Sequence, residues 1–138
     1  MRYLGLDLGS KTLGIAISDK TNTIASVYKT IFFNEIDYDD LINKLKEIVI
    51  ENDITTIILG YPLNMNNTVG ERAEISIKFK KKIENDIDIP VILMDERLTS
   101  VISNNVLIEA DISRNKRKKK VDGIAAVIIL QSFLDKER

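Results

Sequence analysis

Two hydrophobic rhythms follow one another along this chain, and their order limits the possible folds more than any other feature. Residues 2–8 (RYLGLDL) and 13–18 (LGIAIS) are short apolar runs separated by Gly-Ser-Lys-Thr, the pattern of two strands joined by a hairpin. A third strand is expected after the polar turn Asp19-Lys-Thr-Asn, reaching Phe33, with Ile24, Val27, Ile31 and Phe32 as its apolar members. From Asp37 the period changes. Leu41, Leu45, Ile48 and Val49 stand at i, i+4, i+7 and i+8, which predicts an amphipathic helix with Asp37, Asp39 and Asp40 at its positive end. Ile57-Ile58-Leu59, closed by Gly60 and Pro62, is a continuous apolar run of the kind a parallel sheet buries on both faces. Ile75, Phe79 and Ile83 mark a second helix and Pro90 to Met94 another buried strand. Thr99 is placed to cap a helix carrying Ile102, Val106 and Ala110. A last helix is predicted from near Val121, and its IAAVIILQSFL is apolar on more than one face, so it should pack deeply. The order is βββαβαβα followed by α, which predicts an α/β fold with a mixed sheet flanked by helices. At 138 residues one domain spanning 1–138 is expected.

The chain has no cysteine and no histidine. Disulfides, thiolate zinc sites, a Ser-His-Asp triad and imidazole ligands are therefore excluded from its own residues, and chemistry falls to carboxylates, Lys, Arg, hydroxyls or a bound metal. A metal held here has oxygen ligands, which suit Mg²⁺ or Mn²⁺. The N-terminal MRYLGLDLG carries one Arg and a short apolar run broken at Asp7, unlike a signal peptide or a membrane span, so a cytoplasmic protein is expected.

Three acids stand out. Asp7 interrupts the first strand amid apolar neighbours, where a carboxylate costs free energy unless it is paired, bound to metal or at an edge of the core. Gly5 and Gly9 flank it and leave room for a phosphate backbone; a turn-adjacent Asp capping its own hairpin is the structural alternative. Asp95 and Glu96 follow a buried strand, at the end where parallel strands open a binding crevice; a solvated charge cluster is the plainer reading of Asp95, Glu96 and Arg97. Asp122 sits at the predicted start of the terminal helix, where capping alone could account for it. Carboxylates meeting in one cleft repel unless a divalent cation neutralises them, and such a site suits phosphodiester hydrolysis without a histidine base.

Charge is unevenly spread. Six of the 20 basic residues lie between 114 and 120 (RNKRKKK), leaving 14 against 21 acids elsewhere, a net −7 for the remainder. This run is expected to be a mobile loop between two helices. Adjacent to Asp122, Arg114, Lys116, Arg117, Lys118, Lys119 and Lys120 are candidates for holding substrate phosphates, as are Lys11 and Arg97.

Read in order, DLGSKTLGIAISD, GYPLNMNNTVGERA, DERLTS and KVDGIAAVIILQSFL resemble the YqgF family of RuvC-like nucleases over nearly the whole chain. The resemblance implies a ribonuclease H-like fold with a five-stranded sheet of order 3-2-1-4-5. It implies metal-binding, catalytic acids at Asp7, Glu96 and Asp122, with Asp95 the alternative for the second, because strand five lies two spacings, roughly 10 Å, from strand one. It also implies a nucleic-acid substrate, either the 5′ end of precursor 16S ribosomal RNA or a four-way DNA junction, and a monomer or weak homodimer away from membranes. Two other readings compete. A non-catalytic nucleic-acid adaptor would keep fold and basic run without turnover. Asp7-Leu-Gly9 followed by Gly14 also resembles the first phosphate loop of actin-like and sugar-kinase ATPases, which need a second such loop for which little chain is left.

Overall fold

The computed structural model describes residues 2–9, 11–33, 38–61, 70–95 and 114–136; the side chains of 71, 72 and 114–122 lie outside that description with the remaining residues. Strands β1 (Arg2–Leu8), β2 (Thr12–Ser18) and β3 (Ala25–Phe32) form an antiparallel meander. Helix α1 (Tyr38–Glu51), strand β4 (Ile54–Tyr61), helix α2 (Glu71–Asp86) and strand β5 (Val91–Asp95) follow, and helix α3 (Arg114–Lys136) ends the described chain. The sheet order is β3-β2-β1-β4-β5, with β1, β4 and β5 parallel. The mixed sheet and its order agree with expectation. The expected helix over Thr99 to Ala110 lies outside the described residues.

Alternation along the strands divides the apolar side chains between two layers. Leu4, Leu6 and Leu8 of β1 pack with Ile15, Ile57 and Leu59 against Leu41 and Leu45 of α1 and Phe79 and Ile83 of α2. On the other face, Ala16, Ala25 and Ile58 meet Ala126, Ile129, Leu130, Phe133 and Leu134 of α3, and Tyr3 meets Phe133 edge-on at 5.7 Å. β4 serves both layers, through Ile57 and Leu59 on one side and Ile58 on the other, which accounts for its unbroken apolar run. Each fully buried Leu or Ile contributes about 1.5–3 kcal/mol.

The β2–β3 turn is held by its own polar groups. The Asp19 carboxylate accepts the Thr23 and Ile24 N–H groups and the Thr21 hydroxyl, and these bonds, the Thr23 N–H foremost, keep its pKa below the usual range. Buried Ser18 donates to Asn22 and accepts from the Tyr3 N–H. Asn22 has φ 56°, the left-handed conformation Asn tolerates.

Two expectations are corrected. The last helix begins at Arg114, not near Val121, so the basic run is the first part of α3 and not a loop. Its Lys and Arg residues have good helix propensity and lead into the apolar helix with no Pro between. In β3 only Ile31 of the expected apolar members is buried; Ile24, Val27 and Phe32 are 62%, 55% and 75% exposed. β3 is an edge strand, and Ile15 pairs with Lys29 while Ala16 pairs with Val27, so Tyr28 is an extra residue that breaks the alternation. The Tyr28 hydroxyl accepts from Asn52 at the end of α1, 3.1 Å away.

Glu84 joins α2 to β5. It accepts from Lys80 at 3.0 Å and from the Val91 N–H at 3.2 Å, and these bonds, led by the Lys80 ammonium, lower its pKa. A carboxyl lowered on folding adds stability that is complete above its ordinary pKa and is lost as pH falls toward its folded value. Acidification below the ordinary glutamate range should therefore lower the urea midpoint, and Glu84→Gln should make that decline shallower, as read from unfolding curves at a series of pH values.

Candidate active site

The candidate site is built on β1, which has β2 on one side and β4 on the other. Since Leu4, Leu6 and Leu8 take the α1–α2 face, alternation gives Tyr3, Gly5 and Asp7 to the α3 face. Asp7 is half-buried and stands opposite Gly14. The parallel strands β1, β4 and β5 all end at this edge, as does the β1–β2 turn, where the Gly9 N–H donates to the Thr12 carbonyl at 2.8 Å. Lys11 is exposed in that turn.

Helix α3 lies close on this face because β1 has no side chain at position 5. A Cβ on Gly5 would stand 2.6 Å from the Leu130 Cβ and 2.8 Å from the Ala126 carbonyl oxygen. Gly123 faces β3 in a similar way: its Cβ would meet Val27 at 3.2 Å. The expectation that Gly5 opens space for substrate is therefore corrected, since the helix backbone occupies that space. Gly9 remains beside Asp7, where a Cβ would meet Thr12 at 3.2 Å.

This packing sets the height of Asp122. Position 122 is one helical turn before Ala126, about 6 Å along the axis. Asp7 is two residues beyond Gly5, about 6.6 Å along the strand. The backbone at 122 therefore stands level with Asp7. Because α3 starts at Arg114, Asp122 is also more than one turn inside the helix, beyond the reach of the N-terminal dipole, and end-capping no longer accounts for an acid there.

The second acid is resolved in part. Val91 and Leu93 belong to the α1–α2 layer and Met94 to the α3 layer, so Asp95 falls on the face away from Asp7. Glu96 and Arg97 lie outside the described residues. Arg114, Lys116, Arg117, Lys118, Lys119 and Lys120 occupy the first turns of α3, with side chains outside the description. Among the described residues no three acidic side chains form a metal-holding group.

The sequence reading missed the role of Gly5 and Gly123 in seating the helix. A signal was present: Gly123, Ala125 and Ala126 are small residues in a segment otherwise rich in Ile, Val and Leu, and a helical glycine costs about 1 kcal/mol relative to Ala, so its presence marks a close approach. Gly5→Ala should destabilise the fold by about 1–3 kcal/mol through overpacking against Ala126 and Leu130, measured by urea unfolding. An unchanged midpoint would show that α3 can shift without cost.

A family model described as "RuvX: Holliday junction resolvase" matches residues 1–136. A protein of Geobacillus sp. (strain WCH70) named "Putative pre-16S rRNA nuclease" is 49% identical over 138 residues, covering 100% of both chains. One of the same name from Bacillus subtilis (strain 168) is 50% identical over 135 residues, covering 98% of each. Among solved structures, T. thermophilus RuvC in complex with Holliday junction substrate is similar with a TM-score of 0.62 and 9% identity, covering 99% of this chain and 95% of that one. At that identity the likeness concerns the fold. Among the described residues no helix is long and apolar enough to cross a membrane.

Proposed function

The chain belongs to the RuvX family of Holliday junction resolvases, and from that premise we propose that it is a nuclease that cuts phosphodiester bonds at a site formed by Asp7, Glu96 and Asp122. The observation that carries this reading is the seating of α3 on Gly5, two residues before Asp7, on one face of the sheet at the edge where three parallel strands end. Carboxylates meeting there would favour a divalent cation, and a donor set of oxygens alone fits Mg²⁺ or Mn²⁺. Glu96 completes the set in preference to Asp95, because the even register of β5, occupied by Met94, is the one on the Asp7 side. A cation held by these acids would supply charge neutralisation at the scissile phosphate and activation of the attacking water.

The chain's own residues supply position. Asp7 is held by its place in an inner strand, and the helix that carries Asp122 is seated on Gly5. The basic turns of α3 precede Asp122 directly, and with Lys11 and Arg97 they would hold phosphates beside the acids. Most of the residues proposed for the phosphate contacts thus share a helix with one of the acids that would hold the cation.

The substrate is precursor 16S ribosomal RNA, processed at its 5′ end in the cytoplasm. Support comes from relatives of that name at about half identity over essentially the full chain. Resolution of a four-way DNA junction is the second reading, favoured by the fold likeness to RuvC in complex with such a junction. Symmetric junction cleavage needs two sites and hence a dimer, whereas a monomer suffices for RNA. A non-catalytic adaptor is the third, and it predicts binding without cleavage.

A side-by-side assay of precursor 16S RNA and a synthetic junction separates these readings. Cleavage of the RNA with Mg²⁺ or Mn²⁺ is expected, with loss on chelation. Asp7→Asn, Glu96→Gln and Asp122→Asn should each lower the rate by on the order of a hundredfold or more, while Asp95→Asn keeps it. Binding of both substrates with no cleavage under either metal would establish the adaptor. Neutralising Lys118, Lys119 and Lys120 should weaken binding at every sequence and reduce the slope of log affinity against log salt by roughly 2 to 3, as titrations across salt concentrations would measure. An unchanged slope would remove those lysines from the interface.

A further inference from the structure

Phe32 is the most exposed large apolar side chain among the described residues, at 75%, and its neighbour Phe33 shows by contrast what a structural ring does here. Phe33 packs on Tyr38 at 5.6 Å, against the α1–α2 core; Phe32 belongs to neither core cluster. The ladder defines where Phe32 stands. Asp7 pairs with Gly14 and Gly14 with Thr30, so Thr30 shares the face of Asp7, and Phe32, two residues on, shares it as well. Two strand spacings across and two residues along put the Phe32 backbone about 12 Å from that of Asp7. The position is firm, because Phe32 pairs with Thr12 and the Phe33 N–H donates to the Lys11 carbonyl at 2.9 Å, tying the end of β3 to the turn that follows β1.

Helix α3 crosses the same face. Gly123 meets Val27, and the helix runs from there toward the Phe32 end of β3 in its N-terminal direction, through Lys120, Lys119 and Lys116. An exposed aromatic ring thus shares the Asp7 face with the helix whose first turns carry the basic run. A flat ring for bases next to cations for the phosphate backbone is what single-stranded nucleic acid requires, since every base offers a π-face. A duplex keeps its bases stacked on one another and gives such a ring nothing to cover.

We propose that Phe32 is a stacking platform for an unpaired nucleobase of the substrate strand, on the Asp7 face of the sheet and a short step from the bond to be cut. The proposal rests on the nuclease reading and deepens it: the strand leading away from the cut is single-stranded where it passes β3.

Binding of a short labelled single-stranded RNA is measured by anisotropy, with Asp7→Asn as the background to prevent turnover. Phe32→Ala should weaken binding about tenfold, Phe32→Leu should resemble Ala, and Phe32→Trp should retain affinity. The chain has no tryptophan, so in Phe32→Trp the new indole is the sole one, and its fluorescence should be quenched by the single strand and far less by a duplex of the same sequence. Thermal unfolding of Phe32→Ala at the parent midpoint excludes a folding defect, and a lowered midpoint leaves the tryptophan quench as the deciding readout. Unchanged affinity on loss of the ring, or no quench while the RNA is bound, would overturn the platform and leave the nuclease reading intact. Failure of the parent protein to bind any nucleic acid would overturn both. Phe32-dependent self-association seen by sedimentation, with no effect on RNA binding, would assign the ring to an interface between two copies and overturn the proposal.

Discussion

The contact between α3 and β1 at Gly5 sets the arrangement of everything on the active-site face. A helix normally stands about 10 Å from a sheet because side chains separate them, and here the missing side chain at position 5 allows the Ala126 carbonyl and Leu130 to come down onto the strand. The approach fixes the helix in height as well as distance. One turn along α3 and two residues along β1 cover nearly the same length, so the step from Ala126 to Asp122 matches the step from Gly5 to Asp7. A single small residue therefore sets the height of a helix more than a hundred positions away in the chain.

The rest of the sheet is arranged around that strand. β1 is central because it pairs antiparallel with β2 and parallel with β4, which places its carboxyl end beside those of β4 and β5. The apolar layer of α1 and α2 takes the leucines of β1, and the opposite layer is left for the acid. A carboxylate on the leucine face would be desolvated among aliphatic side chains; on the α3 face Asp7 is half-buried. The same alternation separates Asp95 from its neighbour in sequence: β5 sends Val91, Leu93 and Asp95 one way and Met94 the other.

The continuity of α3 alters the electrostatics as well. With the basic run in helical form, its backbone positions follow the helical rise toward position 122 and are not spread over a loop. At the other side of the sheet, the bulge at Tyr28 leaves the edge strand β3 with one buried apolar side chain near its end, Ile31, and turns Phe32 out to solvent on the face of Asp7. Asp7 on β1, Phe32 on β3 and the helix α3 thus share one face of the sheet.

Much of this was legible in the residues. The apolar runs at 2–8 and 13–18, the helical spacing of Leu41, Leu45 and Ile48, and the unbroken Ile57-Ile58-Leu59 predicted strands and helices that the structure contains, because hydrophobic period is a local property. The absence of His and Cys confined the chemistry to oxygen ligands, and Asp7 was marked by its apolar neighbours alone. What could not be read was any quantity that depends on two distant segments. The role of Gly5 appears only when Leu130 is beside it, and the exposure of Val27 and Phe32 only when β3 proves to be an edge. The start of α3 escaped for a related reason: a run of Lys and Arg has helical propensity but no apolar stripe, and the packed apolar helix that follows decides whether it continues. Sequence by itself determined most of the elements and the donor chemistry; tertiary packing decided that Asp7 faces α3 and Asp95 faces the other way, because facing is a relation between strands and helices that no single segment encodes.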